Sequence, residues 1–205
     1  MLEKLASSLG RNDEEPNIAL ALALAKSRDA NAIKEIIGGL SGTTEIASDC
    51  IKVLYELGGR APELISGYAE VFIKLLQSKN NRLVWGAMTA LAEITALNPE
   101  AVNKHFDAVV AAYTRGSVIT VDNSISVFAE LAKAGKKYEK KAFPVIINHL
   151  ENCRPKEVAQ HAERACVCVH QGNAEVFRGI LLKRYGSLTD AQKKRLDKLL
   201  KRLPA

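Results

Sequence analysis

Glu56, Glu93 and Glu130 follow one another at an identical interval of 37 residues, and their neighbours keep step. DCIKVLYEL at 49–57 returns as GAMTALAEI at 86–94 and as NSISVFAEL at 123–131. An interval of this length on helical apolar spacing restricts the chain to a stacked array of helical hairpins, because each hairpin can bury its apolar face only against its neighbours. Taking Leu54 as the inward direction and turning about 100° per residue sets Ile51 and Leu57 about 60° to either side and points Lys52 and Glu56 away. The inward positions recur in columns: Ile51, Met88, Ile125, Ala162; Leu54, Leu91, Phe128, Ala165; Leu57, Ile94, Leu131, Cys168; and Ala47, Val84, Val121, Val158. The second helix of each hairpin repeats as well, through Phe72, Val109, Ile146; Ile73, Val110, Ile147; and Leu76, Tyr113, Leu150.

Breaks in the pattern delimit the helices. Asn12 or Asp13 is placed to cap a helix with Pro16 in its first turn. Gly58-Gly59, Pro62, Asn98-Pro99, Gly116-Ser117, Gly135, Pro155 and Gly172-Asn173 mark the later breaks. Helices are expected near 15–27, 30–38, 43–57, 62–77, 81–96, 99–114, 118–134, 137–151, 156–170, 173–185 and 189–203. Over 17–25, Ile18, Leu20, Leu22 and Leu24 alternate like a strand. Alanine and leucine are strong helix formers, so a helix is expected there too. The result is one all-α domain over 1–205. It comprises an N-terminal hairpin at 1–40, repeats at 43–77, 81–114, 118–151 and 156–185, and a basic capping helix at 188–203.

VWGAMTALAEI at 84–94 is similar to the first helix of a HEAT unit, with its small residues and Ala-Leu pair. YAEVFIKLLQSKNNR at 68–82 resembles the second helix and the turn that follows. The chain therefore resembles HEAT and armadillo-type repeat proteins over roughly 15–186, most clearly over 43–151. The resemblance implies a right-handed α-α superhelix of about five helical hairpins plus a C-terminal capping helix, with one curved face for partners. It implies no chemistry.

Charge is unevenly placed. The chain carries a net +6, yet the segment from Lys183 to Arg202 alone holds eight basic and two acidic residues. The repeat body is thus neutral, and the basic balance belongs to the tail. No apolar run approaches the length of a membrane span. The opening MLEKLASSLGRNDEE lacks the basic and apolar regions of a secretory signal, which favours a cytoplasmic protein. The four cysteines, Cys50, Cys153, Cys166 and Cys168, are expected as free thiols.

Candidate chemistry is sparse. Glutamates one repeat apart stand about 10 Å from each other, too far to share an ion. Cys166 and His170 are spaced i,i+4, but Cys166 and Cys168 lie about 200° apart on a helix and do not converge. His161 is expected as a partly buried, hydrogen-bonded residue near Ser124. There is no Gly-rich phosphate loop and no HExxH. No catalytic, cofactor or metal site is expected.

The turns offer more. SKNNR, RGS and NCRPK place Lys79, Arg82, Arg115, Arg154 and Lys156 along one rim, where first-helix N-termini open. Trp85 and Asp122 are equivalent positions one repeat apart, expected side by side, with Asn81, Asn123 and Gln160 close by. The leading expectation is a non-enzymatic scaffold that docks a protein or peptide bearing acidic or phosphate groups on this rim. Nucleic-acid binding comes second, with Trp85 and Asp122 cast as in HEAT-like DNA glycosylases. Against it, Lys74, Gln77, Ala111, Thr114, Asn148 and Glu151 form no cationic stripe. A membrane-surface adaptor using the basic tail helix is the third expectation.

Overall fold

The computed structural model describes residues 1–204, among which there are twelve α-helices, several short 3-10 turns and no strand. The helices group into two compact units that divide after Ser124.

The first unit contains α1 (Glu15–Ser27), α2 (Ala30–Gly39), α3 (Thr44–Gly58), α4 (Ala69–Leu75), α5 (Asn81–Ile94), α6 (Pro99–Lys104), α7 (Phe106–Arg115) and the first turns of α8 (Val118–Lys133). Polar residues cap four of these helices. The side chains of Asp29, Thr43, Asn80 and Asn98 accept backbone N–H groups at the starts of α2, α3, α5 and α6, each satisfying a donor that the helix itself leaves unpaired. At α1 the cap residue is Glu14 rather than Asn12 or Asp13. Asp13 instead accepts Glu15 N at 3.0 Å. The alternating Ala-Leu stretch is helical: Leu20, Ala21 and Leu24 are buried, while Leu22 is 45% exposed. Arg28 ends the helix in the left-handed region, at φ 55°.

α3 packs on both α1 and α5. Of the residues in the predicted inward columns, Ile51, Leu54, Leu57, Met88, Leu91 and Ile94 are all fully buried here, each contributing about 1.5–3 kcal/mol by leaving water. Val84 and Val121 are only half-buried. Gly86 is needed where α5 meets α3, since a Cβ there would lie 2.7 Å from the Ile51 side chain.

Two helices of this unit are broken where the apolar pattern predicts continuity. The segment 62–77 is two 3-10 turns, Pro62–Leu64 and Ser66–Tyr68, followed by the short α4. Ile65, at φ −119° and ψ −3°, separates the turns, and Gly67 sits in the second. The segment 99–114 bends at His105, at φ −113° and ψ 28°, between α6 and α7. His105 Nε2 lies 2.7 Å from Glu70 Oε2, and Lys104 Nζ 3.1 Å from Glu70 Oε1. The bend coincides with this cluster between α4 and the α6–α7 segment.

The second unit holds the remainder of α8, α9 (Lys136–Asn152), α10 (Pro155–Ala165), α11 (Ala174–Arg184) and α12 (Asp190–Leu200). α10 packs against α9, α11 and α12. The helix expected to run to 170 ends at Ala165 and gives way to a 3-10 turn, Cys166–Cys168. Asn173 takes over the freed backbone groups: its Oδ1 accepts His170 N and its Nδ2 donates to Cys168 O. Cys166 and His170 therefore never share a helix face. Thr189 caps α12 in a reciprocal capping box with Gln192. Leu196, Leu199 and Leu203 of the tail are buried, so the apolar stripe of this helix is consumed by packing and its outward face is basic.

Across neighbouring helices, hydrogen bonds join residues 32 to 34 apart: Asn98 to Ser66, Lys104 to Glu70 and Asn123 to Thr89 in the first unit, and Asn173 to Glu139, Lys183 to Glu151 and Arg195 to Glu163 in the second. In these six bonds the interval is shorter than the 37-residue repeat by about one helical turn, whereas Arg164 to Ser126 in the second unit spans 38 residues. The six bonds do not join repeat-equivalent positions.

Candidate functional site

The rim residues separate into two groups. Arg82 belongs to a closed polar cluster. Its guanidinium pairs with the Glu14 carboxylate and lies over the Trp85 ring, 5.4 Å from the centroid. The same Glu14 accepts Lys52 Nζ at 2.9 Å, and Lys52 also reaches Glu56 Oε1 at 2.8 Å. Arg60 completes the chain on Glu56. Tyr55 fills the gap between rings, 5.6 Å from Trp85 and 4.9 Å from Lys52 Nζ. Trp85 is half-buried, so it packs on its neighbours and does not stand out as a free anchor.

Lys52 corrects an expectation. Helical geometry points it away from the core, yet its side chain is 8% exposed. Glu14, brought in ahead of α1, closes over it. Burial alone would lower its pKa, but the hydrogen bonds from Lys52 to Glu56 and Glu14 outweigh burial and hold the ammonium above its ordinary range. Burial likewise opposes ionisation of Glu14 and Glu56. The bonds from Arg82 and Lys52 to Glu14, and from Lys52 and Arg60 to Glu56, prevail and hold both carboxyls below the usual range. The glutamate ladder is therefore not a simple solvated face at Glu56.

Asn123 is half-buried and donates to Thr89 Oγ1 at 2.8 Å, while Thr89 bonds back to Trp85 O. Asp122 is half-buried beside it on α8. In the second unit Arg154 pairs with Glu157, and Gln160 is half-buried on α10.

Lys79, Asn81 and Arg115 form the open group. They line one cleft of about 240 Å³ in the first unit, with Gln77 and Ser78 on its wall and Leu76, Val84 and Ala112 as its apolar lining. All three are exposed, and neither Lys79 nor Arg115 has an ion-pair partner among the described residues. The turn is shaped by its own side chains. Ser78 Oγ accepts Asn80 N at 3.1 Å, and Asn80 Oδ1 accepts Arg82 N at 2.9 Å. Those bonds tie down residues 78–82 and leave Lys79 in water. On the far side Gly116 ends α7. A Cβ there would lie 2.6 Å from Ala112 O and 2.5 Å from the Thr120 side chain, so only glycine lets α8 start so close. Lys156, in the second unit, is also exposed and without an ion-pair partner among the described residues.

Two features escape a reading by repeat columns. One is the Glu14–Lys52–Glu56 cluster, whose key carboxylate comes from outside the repeats. The other is His161. It is fully buried, and its Nδ1 lies 2.7 Å from His149 Nε2; Ser124, its expected neighbour, donates its hydroxyl to Thr120 O. All four cysteines are free thiols, Cys50 and Cys168 buried, Cys153 and Cys166 half-buried. Burial pushes Cys50 and Cys168 up to about 12, so neither is a ready nucleophile. No helix among the described residues is long and apolar enough to cross a membrane.

Solved structures resemble this arrangement along its whole length. A designed armadillo repeat protein, YIII(Dq)4CqI, superposes with a TM-score of 0.65 at 16% identity, covering 100% of both chains. The fold is that of the armadillo and HEAT repeats. Computationally designed armadillo proteins for modular peptide recognition match with a TM-score of 0.65 at 15% identity over 92% of each chain. The karyopherin Kap121p bound to Pho4p matches with a TM-score of 0.66 at 15% identity, covering 97% of this chain and 22% of the karyopherin. No protein-family model and no curated protein matches the chain.

Proposed function

We propose that this armadillo/HEAT-type chain is a non-catalytic scaffold that binds a protein or peptide through an acidic or phosphorylated group seated at Lys79, Asn81 and Arg115. The observation that carries the reading is the cleft itself. It combines two cations without ion-pair partners among the described residues, an amide side chain and an apolar lining in one concave place. Structural neighbours of the same fold include proteins designed for peptide recognition and a karyopherin bound to a protein partner, which supports a binding role. Arg82, Trp85, Asn123 and Arg154 are assigned to structure in this reading, because each already has a partner within the chain.

The test is fluorescence anisotropy with a panel of acidic and phosphorylated peptides, using the wild type and the Lys79→Glu/Arg115→Glu variant. Binding that weakens steeply with salt and disappears in the variant is expected. Equal affinity in both proteins would refute the assignment of the cleft. Retention of a nucleic-acid probe through the α12 face, with no peptide bound, would favour the polyanion alternative.

A further inference from the structure

His149, Cys153 and His161 bring three metal-binding atoms within 4.8 Å of one another inside the second unit. His149 lies in the last turn of α9, and Cys153 is the residue that ends that helix, so their i,i+4 spacing puts both on one face. The turn through Arg154 and Pro155 then returns the chain as α10, which presents His161 from the opposite side. His149 and His161 are 6% and 0% exposed, and their rings are tilted 50° at a centroid distance of 4.8 Å. Placing two imidazoles and a thiol together in an interior costs more than the apolar residues found at most other inward positions.

We propose that these three side chains form a binding site for a borderline-soft divalent cation, Zn²⁺ in the first instance. Mixed nitrogen and sulfur donors suit that ion, with three protein ligands leaving one tetrahedral position for water. Donor atoms around tetrahedral zinc stand about 3.3–3.7 Å apart, given bonds of about 2.0–2.3 Å. The two ring nitrogens, at 2.7 Å, must part slightly, and the sulfur must move in from a separation no greater than 4.8 Å.

The protons balance. Counted from two neutral rings, one N–H lies between His149 Nε2 and His161 Nδ1. On binding, that proton moves to the outer nitrogen of its own ring, so both facing nitrogens offer lone pairs. Cys153 loses its thiol proton to solvent, and one proton is released per ion. Two charged groups bear on the site. The Arg184 guanidinium bonds the carbonyls of Leu150, Glu151 and Cys153, opposing a bare dication but favouring the thiolate that accompanies it. The carboxylate of Glu157, one turn before His161 on α10, adds negative charge nearby. Because binding releases a proton, affinity is expected to rise with pH. The site is separate from the peptide cleft, which belongs to the first unit.

The full reduced chain, stripped with chelator, is titrated with Zn²⁺ against a chromophoric competitor, and with Co²⁺ for its spectrum. One ion per chain is expected, with a thiolate-to-cobalt charge-transfer band and a rise in Tm on adding zinc. Cys153→Ser should remove the band and weaken zinc binding by on the order of 100-fold or more, beyond the loss usual for outer-shell changes. Cys153 is half-buried at a helix end, so this variant tests the site even if His161→Gln fails to fold. Absence of stoichiometric zinc binding by the wild type, or wild-type zinc affinity in both Cys153→Ser and His149→Gln, overturns the proposal.

Discussion

Arg82 and Lys79 lie three residues apart on one turn, carry the same charge, and face opposite fates. Arg82 reaches across to Glu14 and becomes part of an internal ladder that continues through Lys52, Glu56 and Arg60. Lys79 finds no carboxylate among the described residues and stays exposed over a cleft with Arg115. The difference is geometric. One residue falls on the side of α5 that faces α3 and the segment before α1; the other falls in the turn that the Ser78 and Asn80 side chains hold outward. A cation that is already neutralised within the fold has little to offer a partner. Basic residues in a repeat turn are thus not equivalent, and what separates them is the company each keeps.

Charge changes at the two places should separate cleanly. The largest expected effect is on binding: Lys79→Glu/Arg115→Glu should lose about 100-fold or more in affinity for an acidic peptide, near 3 kcal/mol, while Tm stays within a degree or two of the wild type. An equal fall in Tm would mean that the cleft is structural and would erase the contrast. Next comes Lys52→Ala, expected to lower stability by about 2 kcal/mol in urea unfolding, because it removes the buried cation that Glu14 and Glu56 share and leaves them only the more exposed Arg82 and Arg60. Peptide affinity should not change. Arg82→Ala is expected to cost about 1 kcal/mol, since Glu14 retains Lys52 and the lost pair is half-exposed. The smallest effect is expected for Lys79→Ala, within about 0.5 kcal/mol of wild-type stability.

Acid should weaken the closed cluster. Glu14 and Glu56 have folded-state pKa values below their ordinary ones. Their contribution is therefore complete above the unfolded value of about 4.3 and is lost as pH falls through the folded values. Lys52 is shifted upward, so its contribution holds below about 10.4 and is lost only as pH rises beyond it. Thermal melts between pH 7 and about pH 3 should show a steeper acid limb in the wild type than in Glu14→Gln/Glu56→Gln. Parallel limbs would mean that the cluster contributes little.

Most of the helices and most of the inward columns were legible in the chain. Helix periodicity is local, and an inward stripe such as Ile51, Leu54 and Leu57 states its own direction. The failures have local causes of a different kind. At 62–68 and at His105, a backbone break was hidden beneath an unbroken apolar pattern. At 166–170, the side chain of Asn173 replaced helical bonds from a position outside the expected helix. Of the rim residues, Lys79, Asn81 and Arg115 do share a cleft, but Asn123 pairs with Thr89, 34 residues away, across the repeats.

By itself the sequence determined the class of fold, the repeat length, the core columns and the confinement of net charge to the tail. All of these follow from composition and from spacings that recur at the repeat interval. Only the tertiary structure decided which cations are neutralised, that Lys52 is buried, and that His149 meets His161. Those outcomes depend on pairs of residues from 12 to 68 positions apart. Their meeting is set by helix offsets and turn geometry, which no local period encodes.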